Sequence, residues 1–382
     1  MNVYLDNAAT TAIDPRVLEA MMPFLKDNYG NPSSIHTHGR EAKAGIEKAR
    51  KSIASNLNAS TGEVFFTSGG TEAVNMAIKC AVTDLGVETI ITSPLEHHCV
   101  LHSCDCVKSK HNINIVMLDF DENGNPDLQQ LESILSKKDT GKTLVSLMHA
   151  NNEIGNLLDI KKVSEICRTH GALLHSDAVQ TVGHYPLDLQ ELDIDFLSGS
   201  AHKFHGPKGI GFIYINENLT LKPFIDGGSQ ERNMRAGTEN IYGIIGMAKA
   251  LDICMENFEE EKKHIEGLKF YFAEKLLSFH PEISINGNFP EQSLYTILSV
   301  SLPSSMPTDM FLFNLDMSNI AVSAGSACSS GSNTGSHVIK AIYGEKNKHS
   351  SIRFSFSKFN TMEEADYVLE KVKRILPQEV SM

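Results

Sequence analysis

Between residues 63 and 216, short apolar runs alternate with longer stretches of helical spacing, and this alternation constrains the fold more than any other feature of the chain. EVFFTS (63–68), ETIITSP (88–94), INIVMLDF (113–120), KTLVSLMHA (142–150), ALLHSDA (172–178), DFLSGSA (195–201) and IGFIYIN (210–216) have the length and apolar content of buried strands. TEAVNMAIKCAV (71–82) has helical spacing, and 16–26, 39–57, 127–137, 159–170 and 240–275 read as further helices. Strands alternating with helices predict an α/β fold with a mostly parallel sheet covered on both faces. Two unrelated α/β domains in tandem are the alternative.

The last third reads differently. LYTILSVSL (294–302), NIAVSAGSA (319–327) and SSIRFSFSKF (350–359) are predicted strands, flanked by helices at 307–316, 334–343 and 361–376. That pattern predicts a smaller α+β domain, with a long helix over 240–275 as the bridge. At 382 residues the chain exceeds what one core serves, which agrees with two domains.

The charge balance, 34 − 47 = −13, argues against general nucleic-acid or anionic-membrane binding, since both need a basic surface. No apolar run has membrane-spanning length, and MNVYLDNAATT lacks the basic-then-apolar order of a secretory leader. The seven cysteines are odd in number, and a chain this long needs no staples. A reducing, cytoplasmic compartment is expected.

Ligands of open parallel sheets bind at the carboxyl ends of the strands. Here those ends are polar or glycine-rich: 67–71, 149–152, 176–180 and 198–203. In FFTSGGTEAVN a strand runs through Ser-Gly-Gly-Thr into a helix, which suits an anion such as phosphate; a tight turn with Ser68 or Thr71 as helix cap reads equally well. Asp177 ends a predicted strand, where it can face a pyridinium nitrogen or simply cap a turn. Lys203 follows a strand rich in small residues, in SGSAHKFHGPKGIG (198–211). A lysine there can form a Schiff base with pyridoxal phosphate, although most lysines are surface cations. Ser200 and His202 are placed to reach the phosphate of such a cofactor.

Arg353 lies in an alternating strand, and its guanidinium fork matches a carboxylate in two bonds. Asn152, in NNEIG, reads either as a turn residue or as a ligand contact. Cys328 lies in SAGSACSSGSNTGS, whose serines and glycines predict an accessible loop, unlike the core patterns around Cys80, Cys167 and Cys254. In EHHCVLHSCDC (96–106), His98, Cys99, His102, Cys104 and Cys106 raise a metal site, but C-x-C is not a usual zinc spacing.

YLDNAATT, GNPSSIHTHGR, TSGGTEAVN, LEHH, HANNEIG, HSDAVQ, SGSAHKFHGPKGIG, RAGTEN, SAGSACSSG and SSIRFSF occur in this order. Together they closely resemble the NifS/IscS-type cysteine desulfurases, fold-type I pyridoxal phosphate enzymes of the class V aminotransferase group, over about residues 3–376. The resemblance implies a large domain (14–255) around a mostly parallel seven-stranded sheet, and a small α+β domain from 1–13 and 256–382. It implies that Lys203 holds pyridoxal 5'-phosphate as a Schiff base and that His97 stacks on the ring and assists proton transfers. Asp177 would pair with the ring nitrogen and Gln180 with the phenolic oxygen. Gly70, Thr71, Ser200 and His202 would hold the phosphate, joined by Thr238 from a second subunit, hence a homodimer. Asn152 and Arg353 would bind the carboxylate of L-cysteine, and Cys328 would take its sulfur as a persulfide. No resident metal is implied.

The sulfur would pass to an acceptor protein in iron–sulfur cluster assembly or a thiolation pathway. Housekeeping members carry a C-terminal tail that helps dock a scaffold, whereas this sequence ends at LPQEVSM, so a dedicated acceptor such as a thiolation enzyme is also expected. The alternatives are a selenocysteine lyase, another class V aminotransferase, or a non-catalytic sulfur or metal carrier using 96–106.

Overall fold

A computed structural model describes residues 1–137, 140–325, 336–344 and 350–377. Its strands are β1 (Val3–Tyr4), β2 (Val64–Thr67), β3 (Thr89–Thr92), β4 (Asn114–Met117), β5 (Thr143–Ser146), β6 (Leu173–Asp177), β7 (Phe196–Ser200), β8 (Gly211–Ile215), β9 (Ser284–Ile285), β10 (Ile297–Leu302), β11 (Ile320–Ala321) and β12 (Ser350–Ser355). Its helices are α1 (Pro15–Lys26), α2 (Thr37–Asn56), α3 (Gly70–Thr83), α4 (His98–His111), α5 (Leu128–Leu135), α6 (Ile160–His170), α7 (Leu189–Leu192), α8 (Ile241–Glu256), α9 (Phe258–Leu277), α10 (Thr308–Asp316), α11 (His337–Tyr343) and α12 (Met362–Ile375).

A seven-stranded sheet runs in the order β2-β8-β7-β6-β5-β3-β4. Its neighbours pair in parallel except β8, which lies antiparallel to both β7 and β2. The strand sequences read as continuous apolar runs because both faces are covered. Successive residues feed opposite cores: Phe66, Ile91, Val145 and Tyr214 on one side, and Phe65, Ile90, Leu144 and Ile213 on the other. α2 and α8 pack over the first core, α3 and α4 over the second.

A separate core holds β10 between antiparallel β9 and β12, backed by α9 and α12. Phe272, Val300, Phe354 and Val372 are fully buried in it. Each such side chain contributes about 2 kcal/mol through apolar burial. Val3 and Leu5 belong to this core, and β1 pairs in parallel with β11, so the first residues join the last third.

Two expectations need correction. The helix expected over 240–275 is two helices, α8 and α9. Asn257 leaves the helical region (φ −115°, ψ 16°) and its amide donates to the Ile253 carbonyl at 3.1 Å, closing α8 before the acidic first turn of α9 begins. Of the strand expected over 319–327, the described residues form Ile320–Ala321, and Ser323 then makes an isolated bridge to Arg353; residues 326–327 lie outside the described residues. Helix α4, which the sequence reading did not mark as an element, is weakly amphipathic because His98, His102, Asp105 and Lys108 intersperse its apolar residues.

Candidate active site

β6 ends at Asp177 and β7 at Ser200, and the register Asp177↔Ser198 sets both ends at the same edge of the sheet, with β7 reaching further. A 3₁₀ turn at Ala201–Lys203 follows β7 directly. These ends, the start of α3, the start of α4 and residues 8–9 enclose a cavity of about 180 Å³. It gathers Gly70, Thr71, His97, Asn152, Asp177, Gln180, Ser200, His202, Lys203 and Arg353, which are distant in sequence.

At one side lies an anion cradle. The N-cap of α3 is Gly69, with φ +154° and no side-chain capping bond; the expected caps at Ser68 or Thr71 are not made. The opening turn of the helix therefore keeps its N–H groups and dipole for a ligand. A Cβ on Gly70 would stand 2.6 Å from Val179 Cγ2, so the close approach of α3 to the 177–180 turn requires glycine.

Asp177 is buried, and its Oδ1 accepts the Val179 N–H at 3.0 Å. Burial pushes its carboxyl up to about 6, against the opposing pull of that N–H and of Lys203. His97 is the N-cap of α4: its Nδ1 accepts the Cys99 N–H at 3.2 Å and lies 3.0 Å from Cys99 Sγ. An accepting Nδ1 leaves the ring proton on Nε2. Burial, then Lys203, lowers His97 to about 4, so it is neutral at pH 7. The Cys99 thiol is pushed far up by burial and stays protonated, which disfavours it as a nucleophile.

Lys203 Nζ donates to the Ala8 carbonyl at 2.6 Å and to that of Ala9 at 2.9 Å. Gln180 Nε2 donates to the same Ala8 carbonyl at 3.0 Å. His202 Nδ1 lies 3.2 Å from Thr10 Oγ1, and burial lowers its ring to about 4. The N-terminal run DNAAT thus supplies the carbonyls that hold the lysine. Sequence reasoning gave residues 6–10 no role, although their small and polar character was a usable signal.

Arg353, on β12, donates from one terminal nitrogen to the Asn152 carbonyl at 2.7 Å and from the other to Asp6 Oδ1 at 2.9 Å. Its Nε is buried and has no hydrogen-bond partner among the described residues. The expected pair Asn152 and Arg353 therefore meets, through the asparagine's backbone. Asp6 was missed, since its partner lies far along the chain.

Thr238 stands apart, in another cavity of about 140 Å³ that includes Ser68, Arg235 and Glu239. Cys328 lies outside the described residues. Cys80, Cys104, Cys167 and Cys254 are buried. Among the described residues no cluster of His, Cys, Asp or Glu has an arrangement that holds a metal ion. The cavity as a whole fits a cofactor that is anionic at one end, reacts with an amine and carries a basic ring atom. The glycine cradle, Lys203 and buried Asp177 match those needs in turn.

The aminotransferase class-V family model matches residues 3–368. The chain is 44% identical to "Cysteine desulfurase IscS" of Dictyoglomus turgidum, covering 98% of this chain and 94% of that protein. It is 41% identical to the cysteine desulfurase IscS of Methanosarcina thermophila, covering 98% and 92%. Among solved structures, a NifS-like protein superposes with a TM-score of 0.90 at 38% identity, covering 98% of this chain and 99% of that one. "SspA in complex with cysteine" superposes with a TM-score of 0.79 at 31% identity, covering 94% and 100%.

Proposed function

The chain belongs to the aminotransferase class-V family and is a cysteine desulfurase, and we propose that it moves the sulfur of L-cysteine onto Cys328 and releases L-alanine. The observation that carries this division of labour is the convergence of Lys203, Asp177 and Arg353 on one cavity.

Pyridoxal 5'-phosphate, when bound, supplies a carbonyl for amine capture and a ring that accepts the electrons released at the substrate Cα. Gly70, Thr71, Ser200 and His202 would hold its phosphate, Asp177 its ring nitrogen, Gln180 its phenolic oxygen and Lys203 its carbonyl carbon. His97 would cover the ring face with Nε2–H available as a donor. Lys203 Nζ would take the Cα proton. Arg353 and Asn152 would bind the substrate carboxylate, which enters in competition with Asp6. Cys328 thiolate would attack the substrate sulfur; an S–S bond forms as the Cβ–S bond breaks, leaving a persulfide on Cys328 and alanine to depart.

The separate position of Thr238 supports the reading that it completes the phosphate site of a second copy, making a homodimer. The core that joins β1 to the last third supports a large domain over 14–255 and a small one from 1–13 and 256–382. Six free thiols among the described residues support a reducing cytoplasmic setting. No described helix is long and apolar enough to cross a membrane. The persulfide would pass to a scaffold protein or a thiolation enzyme.

The test is to incubate the cofactor-loaded protein with L-cysteine and a reductant, measuring sulfide and alanine together. Equal amounts from wild type, with both lost in Cys328→Ala, support the reading. A Cys328→Ala enzyme that keeps its rate would mean that sulfur leaves directly, as in a selenocysteine lyase.

A further inference from the structure

His184, in the turn that follows β6, and Tyr295, just before β10, are both buried. Val182, near His184, belongs to the core of the large sheet, whereas Tyr295 packs against the separate core around β10. The two side chains meet between these cores, with ring centroids 5.7 Å apart. Their hydrogen bonds fix the tautomer of the imidazole. His184 Nε2 lies 3.0 Å from the Lys203 carbonyl oxygen. A carbonyl only accepts, so Nε2 carries a proton. Burial lowers His184 to about 4, so the ring is neutral at pH 7 and Nδ1 keeps its lone pair. Nδ1 lies 3.0 Å from the Tyr295 hydroxyl, which therefore donates to it. Burial pushes that hydroxyl far up, so it stays a donor. One directed chain results: Tyr295 O–H to His184 Nδ1, and His184 Nε2–H to the Lys203 carbonyl.

The local backbone brings His184 to that carbonyl. Its own N–H and that of Tyr185 both donate to the Thr181 carbonyl at 2.9 Å, which closes the turn. Gly183 between them has φ +78°, and a Cβ there would stand 2.5 Å from Phe204 Cβ. Only glycine lets the turn lie this close to the residue after Lys203.

Tyr295 is held from the other side. Lys269, buried on α9, donates to Ser293 Oγ at 2.7 Å and to the Leu294 carbonyl at 2.9 Å. The Leu294 N–H donates to the Gly155 carbonyl at 2.7 Å, and the Gly155 N–H to the Asn151 carbonyl at 2.9 Å. The residue after Asn151, Asn152, lends its carbonyl to Arg353. Leu294 thus contacts the turn that holds Arg353, and Tyr295 reaches the main chain of Lys203 through His184. A lysine side chain is long and flexible, so the place of its Nζ depends on where its main chain is fixed.

We propose that Tyr295 and His184 together position Lys203, holding its main chain in register with the turn that carries Asn152, so that removal of the substrate Cα proton depends on this hydrogen-bond chain while cysteine binding does not. The proposal rests on the reading of Lys203 as the base for that proton. Both are positioning residues, and neither lines the cavity that gathers Lys203 and Arg353. Tyr295→Phe removes the donor and keeps the ring. His184→Leu removes both hydrogen bonds. His184→Gln keeps both, because its amide nitrogen can donate to the Lys203 carbonyl while its amide oxygen accepts from Tyr295.

The experiment measures alanine formation by the holoenzymes from L-cysteine and from L-cysteine deuterated at Cα. Tyr295→Phe and His184→Leu should lower kcat by about tenfold or more, show a full primary isotope effect on it, and leave KM within about twofold of wild type. His184→Gln should keep most of the wild-type kcat. A loss of packing alone would not place the slowed step at the Cα–H bond. Nitrogen-15 NMR of the same enzymes reads the pair without turnover. Wild-type His184 should carry its proton on Nε2 with Nδ1 hydrogen-bonded, and Tyr295→Phe should move Nδ1 to the position of an unbonded ring nitrogen. A proton on Nδ1 in wild type, a wild-type kcat in Tyr295→Phe, a lowered kcat without the isotope effect, or a His184→Gln enzyme as slow as His184→Leu overturns the proposal. A Lys203→Ala enzyme that keeps the wild-type kcat overturns the reading of Lys203, and the proposal with it, whatever Tyr295→Phe does.

Discussion

Arg353 and Asp6 form an ion pair at 2.9 Å beside the substrate cavity, with side chains 2% and 16% exposed. The cation that would receive the substrate carboxylate is thus already neutralised, and substrate must share it. Asp6→Asn keeps an oxygen to accept from the guanidinium but removes the competing charge. KM for cysteine should fall by about threefold with kcat nearly unchanged. Arg353→Lys loses the fork, and KM should rise by about tenfold or more. Steady-state kinetics on both variants check this, and an Asp6→Asn enzyme with raised KM would show that Asp6 acts mainly by orienting Arg353.

Asp177 is held up to about 6 by burial. Opposite a protonated ring nitrogen its ionised form is favoured, so cofactor and carboxylate stabilise each other. Protonation below about pH 6 removes that attraction, and cofactor affinity should weaken as pH falls through this region. Asp177→Asn should abolish this dependence and lower kcat by about a hundredfold, since the ring loses its counter-charge. Cofactor dissociation constants measured across pH, together with Cα–H exchange rates, test both halves.

Three buried histidines set an acid limit on stability. His175 lies between Ser146 Oγ (2.8 Å) and Ser198 Oγ (3.0 Å), His184 donates to the Lys203 carbonyl at 3.0 Å, and His205 contacts the Ala12 carbonyl at 2.9 Å. Burial lowers them to about 3, 4 and 4. The folded state binds fewer protons than the unfolded state once pH drops below about 6.5. Stability is therefore complete above that pH and lost as pH falls toward 4, by about 1.4 kcal/mol per unit for each histidine. Denaturant midpoints at pH 7.5 and 5.5 should differ accordingly, and His184→Gln should reduce the slope.

Arg50 and Glu231 are a buried pair, with two guanidinium nitrogens on the two carboxylate oxygens at 2.8 Å and Phe66 N–H on the same carboxylate at 2.8 Å. Glu231, Arg232 and Asn233 all have positive φ (45°, 54° and 67°), a left-handed turn that leads into the Thr238 loop. Such residues persist only where surrounding contacts hold them. Glu231→Ala leaves Arg50 buried without its partner and should destabilise the protein by about 3–5 kcal/mol. Thermal unfolding checks the size; a loss under about 1 kcal/mol would mean that the turn is held elsewhere.

The seven strands of the large sheet were readable because side-chain burial leaves a local apolar trace in each of them. Lys203, Asp177 and the Ser-Gly-Gly-Thr turn were readable because each lies at or just beyond the end of a strand, where ligands of such sheets bind. The break at Asn257 was not, since an apolar periodicity runs across it and only the backbone there departs from the helix. Asp6 beside Arg353 was not, because its partner lies in a remote segment and no spacing in the chain connects them.

The sequence by itself determined the elements, the residue types at the strand ends and the family, all written in local patterns and their order. Tertiary structure alone decided which charges meet and which protons are held. A neutral His97, a raised Asp177 and an Arg353 paired with Asp6 exist only once folding has removed water from those groups and brought distant partners within hydrogen-bond or ion-pair reach.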